Sequence, residues 1–315
     1  MNSRVHPNFK TKYRVTNWAE YDHALVQRGD ITLWISEDAV ASWKPKPTGR
    51  RGAQPKFSDH AIETALTLRL VFKLPLRQAE GFLRSILSLM DVDLDAPDHT
   101  TLSRRGQRLG IKLDLARAVG EPIDLVIDST GLSIVGQGEW AAARHGERGK
   151  RGWKKLHLGV DGDGVIVARV LTDSLADDAK TGVQLVAGVA GEIASLTADA
   201  AYDTIAFYEA ARARGAKAVV PPTRTAKVTR RRPRSAARDR TIQDVEKVGR
   251  RRWKKEAGYH RQSRVENAIF RYKGIIGDRL RARQVDSRET EVVLACNILN
   301  RMVGLGMPVS VPIES

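Results

Sequence analysis

Asp128, Asp199 and Glu266 are the residues of this chain whose types and settings could do chemistry together. Asp128 closes the apolar run LVID, Asp199 lies in SLTADAAYD, and Glu266 lies in YHRQSRVENAIFRYK. Two aspartates on neighbouring strand ends and a glutamate on a later helix can hold a pair of hard divalent cations. Three carboxylates suit two Mg²⁺ ions, with Mn²⁺ as a substitute, because such ions take oxygen ligands and keep waters for phosphate oxygens to replace. In that arrangement the carboxylates are ligands rather than acids or bases, with Asp128 the natural bridge.

The charge of the chain indicates what such a site would act on. Lys and Arg number 53 against 37 Asp and Glu, a formal +16 over 315 residues, with a pI of about 10.2. That surplus implies a polyanionic partner, and a phosphodiester of nucleic acid is the substrate to expect. Most of it is concentrated: residues 221–264 hold 16 Lys or Arg against 4 Asp or Glu. TRRRPRSAARDR and GRRRWKK predict a flexible basic loop over 221–258, lying between two candidate metal ligands. Trp253 in that stretch could stack on an exposed base or anchor the loop to the core.

Around Glu266, residues Tyr259, Gln262, Glu266 and Lys273 fall at i, i+3, i+7 and i+14. On one continuous helix they share a face, where a phenol, an amide and an ammonium flank the acid. The other acids have simpler roles. Asp161 and Asp163 belong to the hairpin turn DGDG, and Asp177 and Asp178 suit the start of a helix over 177–191. Asp203 suits an N-cap for a helix over 204–215, and His157 a structural place in a strand. No Walker loop or dinucleotide fingerprint occurs.

These residues need elements to position them. LVID, LHLGV, VIVARVL, SLTAD and AKAVV predict strands, with helices over 177–191 and 204–215 and around Glu266. The order predicts an α/β fold: one mixed sheet with helices on its faces. Upstream, residues 1–45 form an arm with short ordered pieces, and 46–57 have a basic linker composition. Over 58–120 three helical patterns suggest a helix-turn-helix unit. Apolar faces run through Ala61, Ala65, Leu68 and Phe72, and through Leu76, Ala79, Leu83, Ile86 and Met90. Thr100, Thr101, Ser103, Arg104 and Arg105 would start the recognition helix. An ordinary three-helix subdomain is the bland alternative.

A single cysteine, Cys296 in VVLACNIL, allows no internal disulfide and is expected as a small buried core residue. The polar start MNSRVHPNFK is not a signal peptide, and no run approaches the roughly 18 apolar residues of a membrane span. A cytoplasmic, nucleoid-associated protein is expected, with no membrane partner and no small-molecule substrate.

Taken together, IDSTG (127–131), KKLHLGVD (154–161), ADAAYD (198–203) and YHRQSRVENAIFRYK (259–273) closely resemble bacterial insertion-sequence DDE transposases. The resemblance is to the insertion-sequence-five branch, related to the insertion-sequence-four group, and includes the VHPNF opening. The last motif is the most specific, and matches at Tyr259, Glu266 and Lys273. It departs at Gln262, where the family has Arg; Gln lacks the bidentate cationic contact to phosphate, and Arg261 or Arg264 could compensate.

The resemblance implies an RNase H-like catalytic domain over 121–315, with Asp128, Asp199 and Glu266 as metal ligands. It further implies binding to double-stranded DNA at terminal inverted repeats, a homodimer on DNA, cleavage at element ends and joining to target DNA. Tyr259 and Lys273 would touch terminal phosphates. Two rivals remain open: an RNase H-fold nuclease without strand transfer, and a non-enzymatic helix-turn-helix DNA-binding protein.

Overall fold

The computed structural model describes residues 13–47, 49, 51–52, 54–115, 121–135, 152–229 and 234–313. The VHPNF opening and residues 230–233 of the basic stretch lie outside them. A mixed sheet organises the second half of the chain. Its strands are β2 (Ile123–Ile134), β3 (Trp153–Val160), β4 (Ile166–Asp173), β5 (Ile193–Ala198) and β6 (Lys217–Val219), with the short β7 (Arg279–Leu280) paired to the far end of β2. They lie side by side as β4-β3-β2-β5-β6. β3 is antiparallel to both β2 and β4, whereas β5 is parallel to β2 and β6. Three sequential antiparallel strands, then two parallel ones each preceded by a helix, produce this order. It is the mixed sheet with helices on its faces that the sequence predicts. The Asp161 side chain holds the β3–β4 turn, accepting from the amides of Asp163 and Val165, each at 2.9 Å.

Alternation along the strands divides the core into two layers. Leu125 and Ile127 of β2 and Leu196 and Ala198 of β5 face α6 (Asp178–Gly188) and α7 (Ile205–Ala213). Val126 of β2 and Leu156 and Leu158 of β3 face the other way, toward α10 (Ser263–Arg271) and α11 (Val285–Leu305). The second layer continues without a break into the N-terminal helices α3 (Asp59–Val71), α4 (Leu76–Leu89) and α5 (His99–Arg105). Ala61, Ala65 and Leu68 are buried as expected, but so are Ile62, Leu66 and Leu70, because α3 is sandwiched between its neighbours and α11. Cys296 of α11 is wholly buried there, which pushes its thiol up to about 12.

The N-terminal arm is tied down as well. β1 (Tyr13–Val15) pairs with β8 (Ser310–Pro312) at the other end of the chain. Trp34 and Trp43 are buried, and the Trp43 indole donates to the Asp95 carbonyl at 2.8 Å.

Three expectations are corrected. First, β2 does not end at Asp128 but runs on to Ile134, because Thr130, Leu132 and Ile134 keep the buried alternation going. Second, the basic stretch is largely helical: α8 (Ala236–Val248) and α9 (Arg250–Glu256) meet at Gly249, whose φ of 82° breaks the helix. Thr241, Ile242 and Trp253 seat these helices on the fold, which settles Trp253 as an anchor. Third, Asp203 is not an N-cap. Thr204 caps α7, and Asp203 receives a bidentate Arg238 from α8 at 2.7 and 3.0 Å.

Gly182 of α6 lies where a side chain cannot go. An added Cβ would meet the rings of Tyr202 and Phe207 at 2.8 and 2.9 Å. Gly182→Ala is therefore expected to destabilise the fold by about 1–3 kcal/mol, read as a lower urea midpoint with an unchanged slope.

Candidate functional site

The ladder between β2 and β5 brings the two aspartates together. Its last parallel pair is Ile127 with Ala198. Asp128 and Asp199 each follow by one residue, on strands about 4.8 Å apart. Both point to the side opposite Ile127 and Ala198, which is the side of α10. β2 is still paired with β3 at this point, with Asp128 opposite Leu158. Past Ala198, β5 gives way to a 3₁₀ turn (Ala200–Tyr202), and the Asp199 side chain caps it by accepting from the Ala201 amide at 2.9 Å.

Glu266 comes from the first turn of α10, which Val265 and Ala268 hold against the sheet. It is exposed, and close enough for its charge to act on Asp128. Burial is the largest cause of a rise in the Asp128 pKa to about 6, and the charges of Asp199, Glu266 and Asp178 add to it. The Ser129 amide, donating at 2.7 Å, opposes the shift without cancelling it. Among the described residues no lysine or arginine forms an ion pair with any of the three carboxylates.

Tyr259 stands among these charges. Burial, then Asp199, Glu266 and Asp128, push its phenol up to about 12, so it stays a hydrogen-bond donor at neutral pH. Lys254 sits 4.3 Å from its ring centroid. Tyr202 was not singled out by the sequence: its hydroxyl is buried near Ser129, and its pKa is driven well up by burial and by Asp178, Asp128 and Asp199. Its place three residues after Asp199 was the available signal.

The expected helical stripe is also corrected. Residues 259–273 are a 3₁₀ turn (Tyr259–Gln262), then α10, then a π turn (Tyr272–Ile276) closed by the Gly277 amide on the Tyr272 carbonyl at 3.1 Å. Gln262 consequently faces inward, only 4% exposed, and its Nε2 donates to the Ile127 carbonyl at 3.3 Å. It is a support beneath the aspartates and not a surface contact. Arg261 is committed to Asp124 at 2.7 Å, while Arg264 and Lys273 are exposed.

The candidate recognition helix α5 keeps few of its expected free groups. The hydroxyls of Thr100 and Thr101 both bond the capping carboxylate of Asp98. Arg105 donates to the Phe57 carbonyl at 3.0 Å and pairs with Asp59. Ser103 and Arg104 remain exposed. The nine-residue connection from α4 to α5 is longer than the turn of a helix-turn-helix.

The donor set fits a hard cation with open coordination. Among the described residues no three His, Cys, Asp or Glu side chains converge tightly enough to hold an ion alone. Three clustered carboxylates, one of them already resisting ionisation, would gain from a divalent ion that also takes water and phosphate oxygens.

Residues 26–137 and 120–301 match two family models, each described as a transposase DDE domain. Among solved structures the chain is similar to a piggyBac transposase in a synaptic complex with hairpin DNA, determined by cryo-EM. The TM-score is 0.40 and the identity 11%, over 93% of this chain and 77% of that one.

The Asp128 shift has a checkable sign. Its folded pKa lies above the unfolded 3.8, so between about pH 4 and 6 the folded state binds the extra proton and loses stability as pH rises. Without divalent ions, Asp128→Asn is expected to melt higher than wild type at pH 8. The gap should close as pH falls through 6 toward 4.

Proposed function

The chain belongs to the DDE transposase family, and on that premise we propose that it binds the terminal inverted repeats of a mobile element, cleaves DNA at the element's ends and joins them to target DNA. The carrying observation is the gathering of Asp128, Asp199 and Glu266 at the end of the β2–β5 ladder, without a basic partner among the described residues. These three would hold two Mg²⁺ ions, or Mn²⁺ in their place. When bound, the ions activate the attacking oxygen and stabilise charge on the leaving 3′-oxygen.

The protein's own side chains supply position. Asp128 is fixed by the β3 ladder that continues past it, and Asp199 is fixed by the turn it caps. The Tyr259 phenol O–H donates to a terminal phosphate oxygen, beside the positive charge of Lys254. Lys273 and Arg264, both exposed, attract the adjacent backbone phosphates. With Gln262 turned inward and Arg261 held by Asp124, Arg264 is the guanidinium left to serve where the family has Arg. Ser103 and Arg104 of α5 are the side chains available to touch the element ends, and two copies would bring two ends together.

Asp128→Asn, Asp199→Asn and Glu266→Gln are each expected to cut Mg²⁺-dependent strand cleavage by more than about 100-fold, the upper end of what losing a residue behind a metal ligand costs. Each should still bind end DNA in a mobility-shift assay. Cleavage at the wild-type rate by all three would remove the assignment. A joined product between labelled end DNA and a plasmid separates a transposase from a nuclease that only cuts.

A further inference from the structure

A cavity of about 330 Å³ lies between α3, α5 and the segment leading into α11, and none of the three carboxylates lines it. A more open hollow of about 600 Å³ shares Arg69, Leu76 and Arg281 with it, so the two form one trough. Arg69 is at its floor, only 9% exposed. Its Nε is buried without a partner, and among the described residues its side chain makes no hydrogen bond or ion pair.

The acid nearest to hand does not resolve this. Glu291 is buried beside Arg69 and acts on it electrostatically, but its two oxygens accept from the amides of Arg281 and Ala282, at 2.9 and 2.8 Å. Glu291 thus holds the 281–282 backbone. A buried guanidinium left unpaired is costly, and its cost is greatest where the walls are apolar, as Leu66, Leu70, Leu102 and Leu294 make them here. The surroundings also favour an anion. Arg281 and Arg283 line the trough, and α11, a helix of 21 residues, starts at it with no side chain capping its first amides.

We propose that this trough binds a backbone phosphate of the DNA, with Arg69 as its buried anchor and Arg283 at its rim. The proposal rests on the DNA-processing function above. Ser103 of α5 lines the same cavity, so a duplex lying along α5 brings a phosphate to its mouth. The planar fork of Arg69 meets two phosphate oxygens, and the apolar walls strengthen the contact. The site is separate from the carboxylates, and it would fix the DNA's register between the helical and sheet halves of the protein.

The test uses the full chain and a short duplex carrying the element end. Relative to wild type, Arg69→Met is expected to lower the slope of log affinity against log salt by about one phosphate contact, close to 0.9. Ethylation of one particular phosphate should weaken binding by wild type and leave binding by Arg69→Met unchanged. Without DNA, Arg69→Met should melt higher, because an unpaired buried charge has been removed. Should that variant fail to fold, Arg283→Ala on the exposed rim is expected to show the same loss of slope.

An unchanged slope and an unchanged ethylation pattern overturn the proposal. So does a Tm rise with pyrophosphate that needs Arg69 while the DNA slope stays the same, since the site then serves a free anion. Wild type that cleaves and joins DNA alongside unaffected variants sinks the trough alone. Wild type that binds DNA through Arg69 but never cleaves it sinks the transposition reading alone.

Discussion

β2 is flanked by β3 on one edge and by β5 and then β7 on the other, and the place where β5 leaves determines the site. The parallel ladder with β5 stops at Ile127 and Ala198, while the antiparallel ladder with β3 carries on to Ser133. Asp128 is thus rigid on one side and open on the other, where Asp199 turns out of the sheet into its capped 3₁₀ turn. The Ile127 carbonyl at this departure point is met by the Gln262 amide. That bond ties the turn before α10 to the strand carrying Asp128, so Glu266, four residues on, arrives in register with both aspartates. A family position given to a cationic contact is here used as a structural fastener between two of the three carboxylate-bearing elements.

The strands and the acidic trio were legible because each has a local signal. The DGDG turn, the alternation of LHLGV and the apolar run before Asp128 depend only on neighbours in sequence. Three other features did not. The continuation of β2 is carried by STGLSI, in which Ser and Gly dilute an alternation that only the buried positions reveal. The helices α8 and α9 were hidden by their charge, since the few residues that seat them are widely spaced among arginines. Gln262 looked outward on a uniform helix. The 3₁₀ turn before α10 and the π turn after it change the rotation per residue, so equal spacing no longer means a shared face.

The dense basic stretch also proved to be partly internal wiring. Arg238 is spent on buried Asp203, Arg250 on the Pro222 carbonyl at 2.6 Å, and Arg261 on Asp124. Net charge had implied a surface; the structure uses several of those cations to fasten α8, α9 and the turn before α10 to the sheet. Many of the stretch's other cations stay exposed, Arg224, Arg251 and Lys255 among them, and Arg264 and Lys273 are exposed on either side of Glu266 in sequence.

Among the described residues, the carboxylates at the sheet and Arg69 in the trough leave charge without compensation, and they are opposite in sign. At the sheet, burial first and then the charges of Asp199 and Glu266 raise the Asp128 carboxyl to a pKa of about 6. In the trough, Arg69 is buried with its Nε unpartnered. A fold selected only for stability would remove both, because apolar or neutral replacements avoid the desolvation of an unpaired ion. On the proposed function, a DNA strand with its cations would answer both at once: the cations would satisfy the carboxylates, and the phosphodiester would satisfy the guanidinium. The continuous core from α3 through α11 to β2 keeps the two at a fixed separation, so that a backbone held at one would meet the other in a set register.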